Sequence, residues 1–190
     1  MNVLIIPEDF RKDQYILKPI VAKLFEQVGK PRAKITMCQE LLGGIDQATK
    51  WERIADILDI YRMVDVFLLL VDRDGVAARR TALDALEKKA KAVLDDDCAL
   101  FAEHAWQEIE VWALAGQNLP KGWVWGEIRK EKHPKEKYFD LLAERRGLLD
   151  EPGQGRTTMG REAAADYKRV VSRCKEDVEA LQNRIAKWFG

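Results

Sequence analysis

The chain has 190 residues, with 32 Lys and Arg balanced by 32 Asp and Glu, so its formal net charge is zero. That balance excludes a globally basic nucleic-acid binder while leaving local patches open, and a hydrophobic content of 47% belongs to a globular chain. No apolar run approaches the roughly 20 residues of a membrane-spanning helix, so no membrane association is expected.

Val3-Leu4-Ile5-Ile6 reads as a short buried strand that ends at Pro7-Glu8-Asp9. It begins without the basic leader of a signal peptide, and the three cysteines (Cys38, Cys98, Cys174) form neither a zinc pattern nor a disulfide framework. The expected setting is therefore the reducing cytoplasm. Ile16, Leu17, Ile20, Val21, Leu24, Phe25 and Val28 recur at helical spacing, which predicts a helix over residues 13–28 that Gly29 and Pro31 stop. Pro19 is expected near its start, with an irregular first turn. A second strand is predicted at 33–38 and a helix at 47–62. Val64–Val71 is the strongest strand, apolar throughout, as expected when both faces are covered. A helix at 76–94, a loop at Asp95–Asp97, a short strand at 98–101 and a helix at 105–116 follow.

Strands alternating with helices predict an α/β fold with a central parallel sheet. After residue 116 the pattern changes. Residues 117–135 are rich in Trp, Lys, Gly and Pro, residues 136–146 look helical, and 151–160 reads as a Gly-rich loop. The last helix, 161–188, carries a stripe of Tyr167, Val171, Cys174, Val178, Leu181, Ile185 and Trp188. That stripe suits a helix packed on its own domain, or a coiled-coil seam. The division expected is a core at 1–116 and a mostly helical extension at 117–190.

The acids stand at strand ends. In an open parallel sheet ligands bind beyond the carboxyl ends of the strands. Glu8 follows the first strand, and Asp72 and Asp74 follow the third in "LLLVDRDG". On an extended backbone the i, i+2 spacing aims both aspartates one way. Such carboxylates repel, and a hard cation such as Mg²⁺ or Mn²⁺ turns the repulsion into binding. Gly75 would let the backbone turn beside it. A fourth acid is expected from "HAWQEIEVWALAG", where Glu110 borders an apolar helical stripe of Trp106, Ile109, Trp112 and Ala113, while Glu108 leans outward. His104 and His133 lack a His or Cys partner at ligand spacing and read as ordinary polar residues.

Strand–Glu8 followed by "VFLLLVDRDG" resembles the Toprim domain of topoisomerases, primases and OLD-type nucleases. "QEIEVWALAG" and "HPKEKYF" resemble segments of a shorter bacterial Toprim-like group, over residues 1 to 140. The resemblance implies a Toprim-like, Rossmann-like sheet of about four strands flanked by helices. It also implies Glu8, Asp72, Asp74 and Glu110 as metal ligands, and these with Lys135 as the catalytic set. Gly116 stands where the group often has Asp, and His133 where it has Asn or Asp.

Toprim folds cut or join phosphodiesters. No companion domain supplies a tyrosine nucleophile, so hydrolysis is the expected reaction, on DNA or RNA. "KGWVWGEIRKEKHPKEKY" offers a candidate surface: Arg129, Lys130, Lys132, Lys135 and Lys137 for phosphates, with Trp123, Trp125 and Tyr138 for bases. A solvated charged helix with its Trp residues turned inward explains the same pattern. The group's relatives often accompany ABC- or OLD-type ATPases in phage defence, which implies an ATPase partner. The final stripe, with Trp188 and Phe189, is expected to leave its last turns exposed for that partner or for a homodimer. The alternative is a noncatalytic Toprim-like interaction subunit of an ATPase complex. A small-molecule phosphate enzyme is disfavoured by the lack of a Gly-rich phosphate loop after the first strand.

Overall fold

The alternation of side chains along the strands divides the interior into two cores, one on each face of a sheet. The structure, a computed structural model, describes residues 1–40 and 45–190. Strands β1 (Asn2–Pro7), β2 (Lys34–Met37), β3 (Val66–Asp72) and β4 (Ala99–Ala105) form one parallel sheet in the order β2-β1-β3-β4. Val3, Ile5, Val66, Leu68 and Leu70 enter the first core, whereas Leu4, Ile6, Phe67, Leu69 and Val71 enter the second. Burial on both faces is why β3 is apolar at every position.

The second core is covered by α2 (Ile45–Ala48), α3 (Trp51–Ile60) and α4 (Arg79–Lys91). The first is covered by α1 (Phe10–Gln27) and by the helices that follow β4. These are α5 (Glu110–Ala115), α6 (Trp125–Lys130), a π-helical turn at Lys135–Phe139 leading into α7 (Asp140–Arg145), α8 (Arg156–Ala165), α9 (Tyr167–Arg173), and a second π turn at Lys175–Glu179 leading into α10 (Ala180–Trp188). Ile128, Phe139, Met159, Val170 and Leu181 share one core with Val3 and Ile16. Residues after 116 thus form a wall of the first core. Among the described residues no helix is long and apolar enough to cross a membrane.

Three expectations need correction. Helix α1 starts at Phe10, where the Asp9 side chain accepts the Arg11 N–H at 3.0 Å, so Pro19 lies inside the helix and not near its start. Pro19 has no N–H for the Tyr15 carbonyl, and α8 approaches closely at that place. A Cβ on Gly160 would stand 2.4 Å from the Tyr15 carbonyl oxygen, so only glycine permits the contact.

Strand β4 runs on to Ala105 through Glu103 and His104. Two polar positions, Glu103 and His104, broke the apolar run that would have extended it. The free edge of β4 is covered: Ala102 donates to Glu87 at 2.7 Å, and its carbonyl accepts from Arg80 and Arg184 at 2.8 and 2.9 Å. Both arginines also hold the Glu103 carboxylate.

The last helix is interrupted at Asp166 and Cys174. Its stripe nevertheless faces inward, with Tyr167, Val178, Leu181 and Ile185 buried. Trp188 meets Phe101 edge-on at 6.1 Å, and Phe189 meets Phe25 at 6.4 Å. In the terminal turns, expected to project toward a partner, Ile185 is buried, Trp188 and Phe189 are half-buried against the chain's own core, and Ala186, Lys187 and Gly190 are exposed.

Candidate functional site

Two loops at the carboxyl rim of the sheet are stitched together. The Arg73 and Asp74 N–H groups donate to the Gln107 carbonyl at 2.9 and 3.2 Å, and the Gly75 N–H donates to Gln107 Oε1 at 2.9 Å. Gly75 and Gln107 take left-handed conformations, with φ of 70° and 80°. Gly75 therefore makes the turn that its place after the aspartates suggests. Asp72, last in β3, follows the parity of Leu68 and Leu70 toward the first core. Its Oδ1 accepts the Ile109 N–H at 2.8 Å, just before α5.

Asp72 lies in the field of several acids. Burial pushes its carboxyl well above the usual range, and the charges of Glu110, Asp13 and Glu8 push it further. Glu8 leaves the end of β1, Asp13 lies in the first turn of α1 and Glu110 opens α5. Burial, then Glu110 and Asp9, raise Asp13 to about 7, against the Asp9 N–H that it accepts at 3.1 Å. Glu110 is buried and ion-paired with Arg156, whose Nε donates at 3.1 Å.

The acidic field extends outward. Glu108 is raised to about 7 by burial, with Glu110 and Glu136 adding to the effect, although it accepts the Lys135 N–H at 2.8 Å. Asp140 is raised by burial, with Glu110 and Glu136 again contributing. Lys135 and Arg156 are the cations whose charges oppose these shifts, and Lys135 Nζ lies 3.6 Å from Glu136.

The structure therefore brings Glu8, Asp72 and Glu110 into one field, with Lys135 at its border. Asp74 departs from the geometry expected of it. The strand ends at Asp72, and Asp74 is exposed in a left-handed turn (φ 52°), with Oδ2 3.9 Å from Arg79. It does not share the direction of Asp72 by strand alternation.

Arg129 also departs from expectation as a phosphate ligand. It is 8% exposed, and its guanidinium bridges Asp177 at 3.0 Å and Glu176 at 2.8 Å. Asp177, fully buried, also accepts the Trp106 N–H and the Trp112 indole N–H at 2.9 and 2.8 Å, so Arg129 completes an internal knot. Lys130, Lys132 and Lys137 are exposed, Lys137 with Glu131 at 2.5 Å. Lys132 lies over the turn, its Cε 3.5 Å from the place of a Gly75 Cβ. The aromatics turn inward: Trp123 packs edge-on against Tyr138 at 4.9 Å, and the Trp125 indole donates to the Arg173 carbonyl at 3.0 Å.

Sequence reasoning missed Asp13, Asp140 and Arg156. Asp13 had a readable signal, since it stands three and four residues before Ile16 and Leu17, on the apolar stripe of α1. Arg156 had none, because the loop before it carries no periodicity. The acids around Asp72 offer carboxylate oxygens, the donor type a hard divalent ion prefers, whereas among the described residues the ligand atoms that lie within 4.8 Å of one another are those of Glu108, His133 and Glu136. Compared with known proteins, the chain matches no family model, no curated protein and no solved structure.

Proposed function

We propose that this chain is a divalent-metal-dependent phosphodiester hydrolase acting on DNA or RNA, with Glu8, Asp13, Asp72 and Glu110 as its metal-holding acids. One observation carries the reading: Asp72 is held well above the usual carboxylate range, with carboxylates from three separate elements adding to its burial. A fold gains nothing from such an accumulation unless something relieves it, and strongly perturbed acids at a sheet's carboxyl rim mark functional sites. A bound Mg²⁺ or Mn²⁺ would supply Lewis acidity toward the phosphate and a water of lowered pKa. The chain's own residues do the rest. Arg156 fixes the Glu110 carboxylate, the Ile109 N–H fixes Asp72, and Lys130 and Lys132 offer positive charge to a phosphate backbone at the rim. An ATPase partner and a role in phage defence belong to the same proposal, through the Toprim resemblance.

The test is cleavage of labelled single- and double-stranded DNA and RNA with Mg²⁺, Mn²⁺ or EDTA, alone and with a candidate ATPase. The expected result is metal-dependent cleavage, lost in Asp72→Ala and Glu8→Ala and kept in Asp84→Ala, all folded by circular dichroism. Equal activity in every variant assigns the cleavage to another site or a contaminant. Inactivity under all conditions favours the second reading, a noncatalytic interaction module, which the Arg156 clamp on Glu110 supports by neutralising one acid internally.

A further inference from the structure

We propose that Glu108, His133 and Glu136 form a second cation site, separate from the acids around Asp72 and chemically unlike them, for a borderline divalent ion of the Zn²⁺ class. Ligand atoms of the three side chains all lie within 4.8 Å of one another. Four ligands about 2.1 Å from a tetrahedral ion sit roughly 3.4 Å apart, so side-chain rotation must close the remaining gap. That rotation is available, because His133 and Glu136 are exposed and Glu108 is half-buried.

The backbone is arranged for the task. His133 and Glu136 are three residues apart across Pro134, whose φ of −68° opens the π turn. The Lys135 N–H between them donates to Glu108 Oε2 at 2.8 Å, which ties the turn to the loop before α5 and leaves Oε1 for an ion. Glu108 thus joins two segments far apart in sequence through one carboxylate.

The donor set separates this site from its neighbour. One imidazole and two carboxylates suit Zn²⁺, Co²⁺ or Ni²⁺, whereas Mg²⁺ prefers oxygen alone. Three protein ligands leave a coordination position open, as sites that act on a bound molecule require. The two sites also feel each other, since Glu110 acts on the carboxyls of both Asp72 and Glu108. A cation in either place would weaken the negative field at the other, so their occupancies should oppose each other.

The test is calorimetric titration of the full chain with Zn²⁺, and Co²⁺ titration followed by visible absorption, in wild type, His133→Ala, Glu136→Gln and Asp72→Asn. The exposure of His133 and Glu136 keeps their variants from being folding mutants. The expected result is a Zn²⁺ site weakened by more than the ~10–100-fold that an outer-shell change costs in His133→Ala and Glu136→Gln. Asp72→Asn should keep it, and Mg²⁺ affinity should hold in His133→Ala. The Co²⁺ spectrum should change in His133→Ala. Undetectable Zn²⁺ binding in wild type, or equal binding in wild type and His133→Ala, overturns the proposal. So does loss of the Zn²⁺ site in Asp72→Asn alone, which would place the ion among the rim acids. None of these readouts depends on nucleic-acid cleavage, so this proposal and the hydrolase reading fail separately.

Discussion

Replacing Asp13 with asparagine should stabilise the metal-free protein, and only at neutral pH and above. The Asp13 carboxyl rises from 3.8 to about 7 in the fold. In the window between those values the folded chain holds a proton that the unfolded chain has released. Stability therefore falls as pH rises from about 4 to about 7 and is level beyond, the reverse of the usual acid-denaturation slope. At about 1.4 kcal/mol per pH unit the full burden is ~4 kcal/mol. Asparagine keeps the shape and can still accept the Asp9 N–H, but its buried amide retains a desolvation cost. A net gain of about 2 kcal/mol is expected, or ~4–8 °C in Tm for a chain of this size. The assay is thermal unfolding by circular dichroism with EDTA, from pH 4 to pH 8.5, for wild type and Asp13→Asn. The variant should be about 2 kcal/mol less stable than wild type at pH 4 and about 2 kcal/mol more stable above pH 7, and millimolar Mg²⁺ should shrink the gain at high pH by stabilising wild type. A difference that is the same at both ends, or negative at pH 8, would refute the claim that Asp13 bears a charge the fold must tolerate.

Three further expectations concern the segment assigned to nucleic acid and the chain end. Arg129→Ala should destabilise by ~3–5 kcal/mol in urea titration, because it leaves Asp177 buried without its cation. Lys132→Glu should leave stability unchanged and weaken salt-dependent oligonucleotide binding in fluorescence anisotropy. Deleting residues 185–190 removes Ile185 and the Trp188 and Phe189 edge contacts, so lost or lowered cooperative unfolding is expected. A stable deletion product that differs only in light scattering would return those residues to the role of a docking surface.

Much of the fold was legible because its signals are local. β1 and β3 are apolar runs bounded by charge or Gly, and α1 repeats its apolar residues at helical spacing, so type and order follow from pattern alone. Where local and tertiary signals compete, the pattern misleads. Glu103 and His104 break the apolar run of β4, yet the strand continues, since Arg80 and Arg184 reach the Glu103 carboxylate from α4 and α10. The final stripe suits exposed or buried helices equally well. Its fate was decided by Phe101 and Phe25, which no spacing within the stripe itself could show.

The site was half legible for a related reason. Strand-end acids announce themselves, because the carboxyl rim is where a parallel sheet leaves room, and the charge of Glu8 there bears on the Asp72 carboxyl. The alternation rule was carried one residue pair too far. It holds while the backbone is extended, and the left-handed turn at Asp74 lies beyond the strand. Arg129 shows the converse error: a cation in a basic, aromatic-rich segment reads as a phosphate ligand until a buried Asp177 claims it. His133 was set aside because ligand spacing was sought along the chain. Its partner Glu108 arrives through the fold, held by the backbone of the residue between His133 and Glu136. A site assembled across segments leaves only fragments in any one of them. An unexpected carboxylate on an apolar stripe, such as Asp13, is then the most informative fragment, since burial makes it costly and the cost calls for a compensating charge.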